Sequence, residues 1–578
     1  MRSQRKLLIW LLLVAATAGA PVSLAAAPLR PAHARHAMVV SVHELASKAG
    51  VEAMQAGGNA IDAAVATGFA LAVVHPEAGN IGGGGFMLIR MADGKTHFLD
   101  YREKAPAAAT ENMYLDAKGN VIESLSLIGY KAIAVPGSVA GMAYAQKKWG
   151  KLPIARVMAP AIRLAREGFV LAWEDARGLR DEDLAKFSSS RRIFQRDGRY
   201  YEAGEVLKQP ELARTLERIA ANPDSFYHGA LAHELAAAVK KGGGLITADD
   251  LAHYEVKERP AIHGTYRGYD IYGAPPPSSG GIVLLEALNI LEAYDLANLG
   301  NRSARTMHLT TEAFRRAFMD RSDFLGDPDF ASIPTAQLTD KKYAAAWRES
   351  INPDHASVSK DLRRPNFSDL ERNASLHLPW NGHESGNTTH YSVVDGQGNA
   401  VSVTTTLNDS LGSRVTAEGL GFLLNDEMDD FAAKQGVPNG YGLIQGPANA
   451  IAAGKRPLSA MSPTIVVKDG KLVLVLGSPG GPRIISTVAN ILMGVIDYGM
   501  NIAEAVNAPR FHHQWLPDEM YVERGLSPDT LGLLSKMGHR INYEDQYWSD
   551  GECIAVDPAT GERLGASDAR NNGKAVGY

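Results

Sequence analysis

Two hairpin patterns in the last third of the chain constrain its fold more than any other feature. In the first, "HYSVVD" and "AVSVTTTL" alternate apolar and polar side chains on either side of a Gly-Gln-Gly-Asn turn at 396–399. In the second, "TIVVKDGKLVLVLGSP" repeats the alternation around a turn at 468–470. Alternation on both arms of a tight turn is typical of antiparallel β-hairpins. The chain is therefore predicted to contain antiparallel central sheets.

Helical patterns lie on both sides of these hairpins along the chain. "ARVMAPAIRLAREGF" and "ALAHELAAAVKKGGG" are periodic and end at glycines, as helices commonly do. "GIVLLEALNILEAYDL" precedes the first hairpin, and "RIISTVANILMGVIDYG" follows the second. Helices, then sheet, then helices predict a layered protein with helices covering antiparallel sheets. The glycine run 82–85 leads into the strand-like "FMLIR" and lacks GxxxxGK[ST], which favours close backbone packing over a phosphate loop.

The first residues resemble an export signal. A basic start is followed by the 14 apolar residues Leu7–Ala20, fewer than the about 20 that a membrane span needs. Small residues then predict cleavage near Ala25, with an uncleaved anchor as the alternative. The single cysteine, Cys553, excludes an intrachain disulfide framework. Together these features predict a periplasmic or secreted bacterial protein.

Composition narrows the range of partners. The 578 residues are 45% hydrophobic and 21% charged, which is ordinary for a soluble globular protein long enough for several cores. A net charge of −5 without a basic run gives no support for nucleic-acid binding. His390, His512 and His513 stand out, but no HExxH or Cys/His ligand spacing surrounds them. We therefore expect structural histidines and no metal.

The junction between Asn387 and Thr388 carries a chemical possibility. A threonine hydroxyl becomes a useful nucleophile when its own N-terminal amine acts as the base. That nitrogen is an amide in an intact chain, so such an enzyme must first cut itself. Residues 353–387 are polar and lack a sustained period, which predicts an exposed, mobile tether ending where the first strand begins. An ordinary loop-to-strand junction and a glycosylation sequon are the alternatives.

The segment "TTHYSVVDGQGNAVSVTTTLNDSLG", residues 388–412, resembles the small-subunit signature of the γ-glutamyltranspeptidase (glutathione hydrolase) family. The resemblance extends over nearly the whole mature chain. Further matching motifs, in the family's order, are "DYREKAP" at 100–106, "FLLNDEMDDF" at 422–431, "GKRPLSAMSPT" at 454–464, "GSPGGPRI" at 477–484 and "APRFHHQWLPD" at 508–518. It implies an α+β, four-layer αββα N-terminal-nucleophile hydrolase, formed jointly by two chains cut from one precursor. The expected segments are a signal peptide (1–25), a large subunit (26–387) and a small catalytic subunit (388–578).

The resemblance also implies the catalytic groups. Thr388 is the expected nucleophile for self-cleavage after Asn387 and for attack on substrate, with Thr406 orienting its hydroxyl. Gly480 and Gly481 are the expected oxyanion donors, through their backbone N–H groups. Because nucleophile, base and oxyanion donors are all protein groups, no cofactor is expected.

A zwitterionic γ-glutamyl group needs a cation and acids in its pocket. The resemblance assigns Arg102 to the α-carboxylate, a task suited to the guanidinium fork. It places Glu427, Asp430 and Asn408 around the α-ammonium and Ser459 at the carboxylate.

Two positions of this chain depart from the family motifs, and a third bears on its choice of donor. Ala460 replaces the second of two family serines at the carboxylate, a loss worth about 0.5–1.5 kcal/mol if that hydroxyl binds the donor. Leu411 replaces the usual aromatic residue before Gly412, where we expect an effect on packing alone. Tyr441 lies in "KQGVPNGYGLIQG", which resembles the lid of family members that use small donors.

The implied activity is γ-glutamyl transfer from glutathione and related compounds to water or to amino-acid and dipeptide acceptors. One alternative is a β-lactam acylase, of the glutaryl or cephalosporin type, on the same fold. Another is an uncleaved homologue that only binds. A serine hydrolase lacks support because no G-x-S-x-G nucleophile elbow is present.

Overall fold

Two seven-stranded antiparallel sheets organise the molecule. The computed structural model describes residues 29–122, 124–367, 388–544 and 548–578. The predicted signal peptide and the predicted cleavage residue Asn387 lie outside these described residues. Residues 31–578 form one compact unit.

Sheet I contains the first predicted hairpin. Its strands, in order across the sheet, are β21 (Lys574–Gly577), β2 (Met38–Ser41), β12 (Thr388–Val394), β13 (Ala400–Thr406), β3 (Gly84–Arg90), β4 (Thr96–Tyr101) and β9 (Lys257–Arg259). Strands β12 and β13 pair in antiparallel register from Thr388 opposite Thr406 to Val394 opposite Ala400. The hairpin prediction is confirmed.

Sheet II contains the second predicted hairpin. Its strands, in order, are β1 (Ala32–Ala34), β20 (Arg563–Ser567), β19 (Glu552–Val556), β15 (Lys471–Leu476), β14 (Thr464–Lys468), β11 (Tyr269–Gly273) and β10 (Ile262–Tyr266). At the β14–β15 turn, Asp469 and Gly470 have φ of 50° and 75°. Positive φ at both central positions is what a tight hairpin turn of this type requires.

Alternation along the strands explains the layers. On β3, Met87 and Ile89 belong to a hydrophobic core with the helices that cover sheet I. Phe86 and Leu88 point the other way, into a core shared with sheet II and the helices that cover it. Because successive side chains of a strand face opposite sides, one strand contributes to both cores. The result is the predicted helix–sheet–sheet–helix arrangement.

Helices divide between the two cores in chain order. Those of the sheet I core are α1 (Glu44–Gln55), α2 (Ala60–Val74), α3 (Ser138–Trp149), α4 (Ile154–Glu167), α5 (Trp173–Gly178), α6 (Ser188–Phe194), α7 (Pro210–Ala221), α8 (Ser225–His228), α9 (Ala230–Lys241) and α10 (Ala248–Ala252). Those of the sheet II core are α11 (Gly280–Leu291), α12 (Leu296–Leu299), α13 (Ala304–Phe324), α14 (Thr335–Leu338), α15 (Lys341–Glu349), α16 (Arg483–Ile496) and α17 (Ile502–Asn507).

Smaller elements complete the described chain. Helix α18 (Pro528–Lys536) packs near a three-stranded sheet of β16 (Phe511–His512), β17 (Met520–Val522) and β18 (Ile541–Tyr543). Two-stranded sheets pair β5 (Phe169–Val170) with β8 (Val206–Leu207) and β6 (Gln195–Arg196) with β7 (Arg199–Tyr200). None of the helices within the described ranges is long and apolar enough to cross a membrane.

Glycines 82–85 pack against backbone, as expected. A Cβ on Gly83 would lie 1.9 Å from the carbonyl oxygen of Thr406, and one on Gly82 would lie 2.0 Å from that of Leu423. No side chain fits at such distances, so glycine lets this segment pass directly beneath the end of β13.

The prediction of an exposed tether is wrong for part of residues 353–367. Ser359 and Arg364 are 1% and 4% exposed. Arg364 forms ion pairs with Asp320 and Asp323, and the backbone N–H of Ser359 donates to Asp518 at 2.8 Å. The polar composition reflects buried ion pairs here, which sequence pattern does not distinguish from solvated charge. Residues 368–387 lie outside the described part.

Candidate active site

Thr388 and Thr406 form a hydroxyl pair at the open end of the β12–β13 hairpin. Both are buried, and their Oγ1 atoms lie 3.2 Å apart. The backbone N–H of Asn408 donates to Thr406 Oγ1 at 2.8 Å. Since that oxygen already accepts a hydrogen bond, the Thr406 hydroxyl hydrogen is available to Thr388. The pair can therefore hold the Thr388 oxygen in one orientation.

This pair opens into a small cavity of about 20 Å³. Nearly all of the residues predicted for the site line it. They are Thr388, Thr406, Arg102, Asn408, Glu427, Asp430, Tyr441, Ser459, Ala460 and Gly481. Gly480 directly precedes the last of these. The structure thus brings together residues that are more than 370 positions apart in the sequence.

Gly480 and Gly481 present two backbone donors beside the cavity. Their φ angles are 124° and 53°, in the region that favours glycine. Within the described residues neither N–H donates a hydrogen bond, although Gly480 is buried. Helix α16 begins at Arg483, so its N-terminal dipole end points towards this turn. Unpaired buried N–H groups are rare in proteins, and such a pair can receive developing negative charge.

Arg102 lies at the centre of an acidic cluster. It is 1% exposed and forms ion pairs with Glu427 and Asp430, which belong to a short 3₁₀ turn, Glu427–Asp430. Burial lowers the pKa of the guanidinium, but the two acids outweigh burial and leave that pKa above its ordinary value. Burial raises the pKa of the Glu427 carboxyl well above its usual range, although Arg102 opposes this. The cavity therefore offers both signs of charge in a dry environment.

Tyr441 covers the cavity from the loop that resembles a lid. Its hydroxyl donates to the Asn408 carbonyl oxygen at 2.9 Å, and its backbone carbonyl accepts from Gln514 at 3.2 Å. The ring also packs on Gly481, where an added Cβ would lie 2.8 Å from it. Burial raises the pKa of the Tyr441 hydroxyl well above its usual range, so the hydroxyl is a donor throughout the neutral range.

Ser459 and Ala460 form another wall. The Ser459 hydroxyl accepts a 3.1 Å hydrogen bond from the Met461 N–H, and its carbonyl oxygen accepts from the Ser279 hydroxyl at 2.7 Å. Ala460 lines the cavity with its methyl group, at the position where the resemblance predicts a second serine.

Sequence reasoning missed several lining residues. Leu443, Met461, Pro482 and Ile484 are apolar neighbours of predicted positions, so proximity to the motifs could have indicated them. Arg321 is different, because it comes from the last turn of α13. A basic residue at a helix end is ordinary, and no sequence signal separates Arg321 from the other arginines of that helix.

The three prominent histidines are buried and hydrogen-bonded. His390 contacts Thr404 and Ser392, and burial lowers its pKa to about 3. His512 contacts Ser486 and Gln514, while His513 lies 3.3 Å from Asp518. These contacts agree with a structural role.

A different group, which the sequence analysis did not single out, has the residue types of a metal site. His308, Glu312 and His539 place ligand atoms within 4.8 Å of one another. However, Glu312 already pairs with Arg315 and Arg316, and His308 Nδ1 lies 2.8 Å from His539 Nε2. These contacts occupy the atoms that a cation would need, and they fit a buried polar network better than a metal centre.

Comparison with known proteins agrees with this site. A family model described as gamma-glutamyltranspeptidase matches residues 46–578. The glutathione hydrolase proenzyme of Pseudomonas sp. (strain A14) is 50% identical over 580 residues, covering 98% of each chain. That of Escherichia coli (strain K12) is 49% identical over 545 residues, covering 94% of this chain and 91% of the relative.

Among solved structures, a cephalosporin acylase from Bacillus halodurans is similar with a TM-score of 0.81 and 29% identity. The match covers 97% of this chain and 99% of the acylase. The family model and both relatives extend over nearly the whole sequence. This chain belongs to the gamma-glutamyltranspeptidase family.

Proposed function

We propose that the chain is a proenzyme that cuts itself before Thr388 and then acts as a γ-glutamyltransferase and glutathione hydrolase. One observation carries the proposal. The Thr388–Thr406 hydroxyl pair and an arginine–carboxylate cluster meet at one cavity, beside two glycine N–H groups that donate no hydrogen bond within the described residues. Nucleophile, oxyanion donors and a recognition site for a zwitterion are thus provided by protein groups.

Self-cleavage begins with attack by Thr388 Oγ1 on the carbonyl carbon of Asn387. The bond from that carbon to the Thr388 nitrogen breaks, leaving an ester and a free amine. Water then hydrolyses the ester and releases the Asn387 carboxylate. The Thr406 hydroxyl positions the attacking oxygen at 3.2 Å. The new α-amine has a pKa of about 7.7–8.0, so part of it is free base near neutrality.

The same oxygen then attacks the γ-carbonyl of the donor, and the Thr388 amine takes its proton. Negative charge develops on the carbonyl oxygen beside Gly480 and Gly481. Removal of one such donor generally costs about 10²–10³ in rate. The leaving amine receives the proton, and water or an amino-acid or dipeptide amine resolves the γ-glutamyl ester.

Donor recognition requires that the ion pairs between Arg102 and its neighbouring acids be replaced by ion pairs with the donor. Arg102 pairs with Glu427 and Asp430 at the cavity. When the donor enters, its α-ammonium binds Asp430, Glu427 and Asn408. Its α-carboxylate binds Arg102 and Ser459.

Processing would leave a large subunit, 26–387, and a small one, 388–578. Both contribute strands to both sheets: β12 and β13 lie between β2 and β3, and β14 and β15 lie between β11 and β19. Because the two subunits share both sheets and both cores, we expect them to stay associated after the cut. Removal of residues 1–25 during export, to the periplasm or the medium, completes the proposed maturation.

An acylase that removes glutaryl side chains is the second candidate, favoured by the TM-score of 0.81 to a cephalosporin acylase. A glutaryl group lacks the ammonium, so it gives no cationic partner to Glu427 and Asp430. We therefore expect γ-glutamyl-anilide to be turned over faster than glutaryl-anilide, and the reverse order would favour the acylase.

Intact-mass analysis of the wild type beside Thr388→Ala tests the proposal. In proportion to length, the 62.0 kDa precursor should give chains of about 39 and about 20 kDa, the smaller beginning Thr-Thr-His-Tyr. The variant should remain one chain. A wild type that stays uncut on long incubation would refute the mechanism and leave a binding homologue as the better description.

A further inference from the structure

Arg321 is a second guanidinium in the cavity, and its terminal nitrogens have no partner among the residues that the structure describes. It is 2% exposed and lines the cavity with Thr388 and Arg102. Its Nε donates to the Ser279 hydroxyl at 3.0 Å. Within the described residues, neither Nη1 nor Nη2 forms a hydrogen bond or an ion pair. A buried cation normally has an anionic partner, so this arrangement is prepared for one.

The other arginines nearby already form ion pairs with carboxylates. Arg315 and Arg316, on the same helix α13, both pair with Glu312. Arg102 is held by the two acids of the cavity, Glu427 and Asp430. Arg321 is therefore the cavity guanidinium with donors to spare among the described residues. Burial lowers its pKa to about 10, with Asp430 opposing the shift, so the side chain remains charged near neutrality.

The anchoring of Arg321 connects it to the carboxylate wall. Ser279, which accepts from Arg321 Nε, donates through its hydroxyl to the carbonyl oxygen of Ser459 at 2.7 Å. Ala460, next in the chain, presents a methyl group in place of a hydroxyl donor. The guanidinium is thus fixed beside the part of the wall that has lost a donor.

We propose that Arg321 binds the α-carboxylate of the γ-glutamyl donor together with Arg102 and Ser459, and supplies donors that Ala460 cannot. The inference rests on the proposed function, since it identifies a further determinant of the same site. A planar guanidinium with two free N–H₂ groups matches a carboxylate in geometry and charge. A purely structural Arg321 would instead hold the shape of the cavity for every donor, without touching the donor's carboxylate.

Three anilide donors separate these roles. γ-Glutamyl-anilide carries both charges, glutaryl-anilide lacks the ammonium, and 4-aminobutyryl-anilide lacks the carboxylate. Arg321→Gln should lower kcat/KM about 10- to 150-fold for the two donors that have a carboxylate, the range for a charged hydrogen bond. It should leave 4-aminobutyryl-anilide within about 2-fold.

Controls keep the result interpretable. Arg305→Gln removes an arginine from the exposed face of α13, where it pairs with Asp354, and should change none of the three donors. Arg321→Lys keeps the charge but loses the fork, so a smaller, carboxylate-specific loss is expected. Every variant is first checked by mass for the cut before Thr388. If Arg321→Gln does not fold or cut itself, Arg321→Lys must show the carboxylate-specific loss for the proposal to stand.

Failure of the inference differs from failure of the proposed function. An equal loss for all three donors would make Arg321 structural, and no loss for any would remove it from recognition. Both results presuppose a wild type that turns over γ-glutamyl-anilide. A wild type without that activity would instead overturn the proposed function, and the inference with it.

Discussion

The Tyr441 hydroxyl donates a 2.9 Å hydrogen bond to the carbonyl oxygen of Asn408. Asn408 in turn donates its N–H to Thr406 Oγ1, which contacts Thr388 Oγ1, the proposed nucleophile. Asn408 therefore connects Tyr441, which covers the cavity, with the Thr388–Thr406 hydroxyl pair. This chain of contacts links the position of the Tyr441 ring to the orientation of the Thr388 and Thr406 hydroxyls.

Tyr441→Phe removes the bond while keeping the ring on Gly481. A neutral hydrogen bond contributes about 0.5–1.5 kcal/mol, so the closed cover should be destabilised by that amount. We expect KM for γ-glutamyl-anilide to rise about 2- to 12-fold, with a smaller change in kcat. Steady-state kinetics test this, with the exposed Tyr543→Phe as the control. An unchanged KM would show that the ring alone holds the cover.

Thr406→Val keeps the branched shape of the side chain and removes its hydroxyl. The Asn408 N–H loses its acceptor and Thr388 loses its neighbour, with an unsatisfied buried donor costing about 1–3 kcal/mol. Self-cleavage should slow about 10- to 100-fold, measured as the half-time for appearance of the small subunit. Thr406→Ser restores the oxygen and should recover most of the rate. Equal slowing in both variants would point to packing as the cause.

The sequence predicted the two hairpins because alternation and turn residues are local signals. Thr388 and Thr406 could be placed on facing arms of the first hairpin, but their pairing directly opposite each other is seen only in the structure, because a shift of one residue changes every pair. Motif resemblance gathered Arg102, Glu427 and Asp430 into one site, although distance along the chain gives no hint of their contact.

Arg321 and the packed segment around Arg364 could not be predicted. Their roles depend on which buried partners tertiary folding brings to them. Arg364 forms ion pairs with two carboxylates of α13. Arg321 is itself part of α13, and its guanidinium lines the cavity. Sequence shows an arginine in each case, and only the surroundings differ.

Gly481→Ala should damage catalysis far more than stability alone explains. Its φ of 53° disfavours any side chain, and the new Cβ would lie 2.8 Å from the Tyr441 ring. Either strain or displacement would move the N–H group that we propose as an oxyanion donor, so we expect kcat to fall about 10²-fold. Gly470→Ala is a matched control with φ of 75° and open space around it. It should cost about 1–2 kcal/mol in unfolding free energy and leave kcat unchanged. Similar kcat values in the two variants would remove Gly481 from the oxyanion site.

His390 should make the folded protein sensitive to acid. Burial lowers its pKa from 6.5 to about 3, so below pH 6.5 the unfolded chain binds a proton that the folded chain refuses. The His390 contribution to the free energy of unfolding is therefore full above pH 6.5 and falls as pH drops towards 3. Comparing His390→Asn with the wild type by urea unfolding at pH 7 and pH 5 isolates this contribution. The variant should lose less stability between the two pH values, and an equal loss would show that other groups dominate.

Ala460→Ser tests whether the departure from the family pattern affects donor binding. The position is 8% exposed and lines the cavity, so a hydroxyl there can reach the donor without a large change in volume. A carboxylate accepts several hydrogen bonds, so the new donor adds to those from Ser459 and the guanidinium groups. We expect KM for γ-glutamyl-anilide to fall about 2- to 12-fold, with 4-aminobutyryl-anilide unaffected. Ala432→Ser, also buried but outside the residues lining the cavity, controls for the general cost of a buried hydroxyl. If KM for both donors stays unchanged in Ala460→Ser, the carboxylate lies out of reach of this wall, and the missing hydroxyl has no part in donor choice.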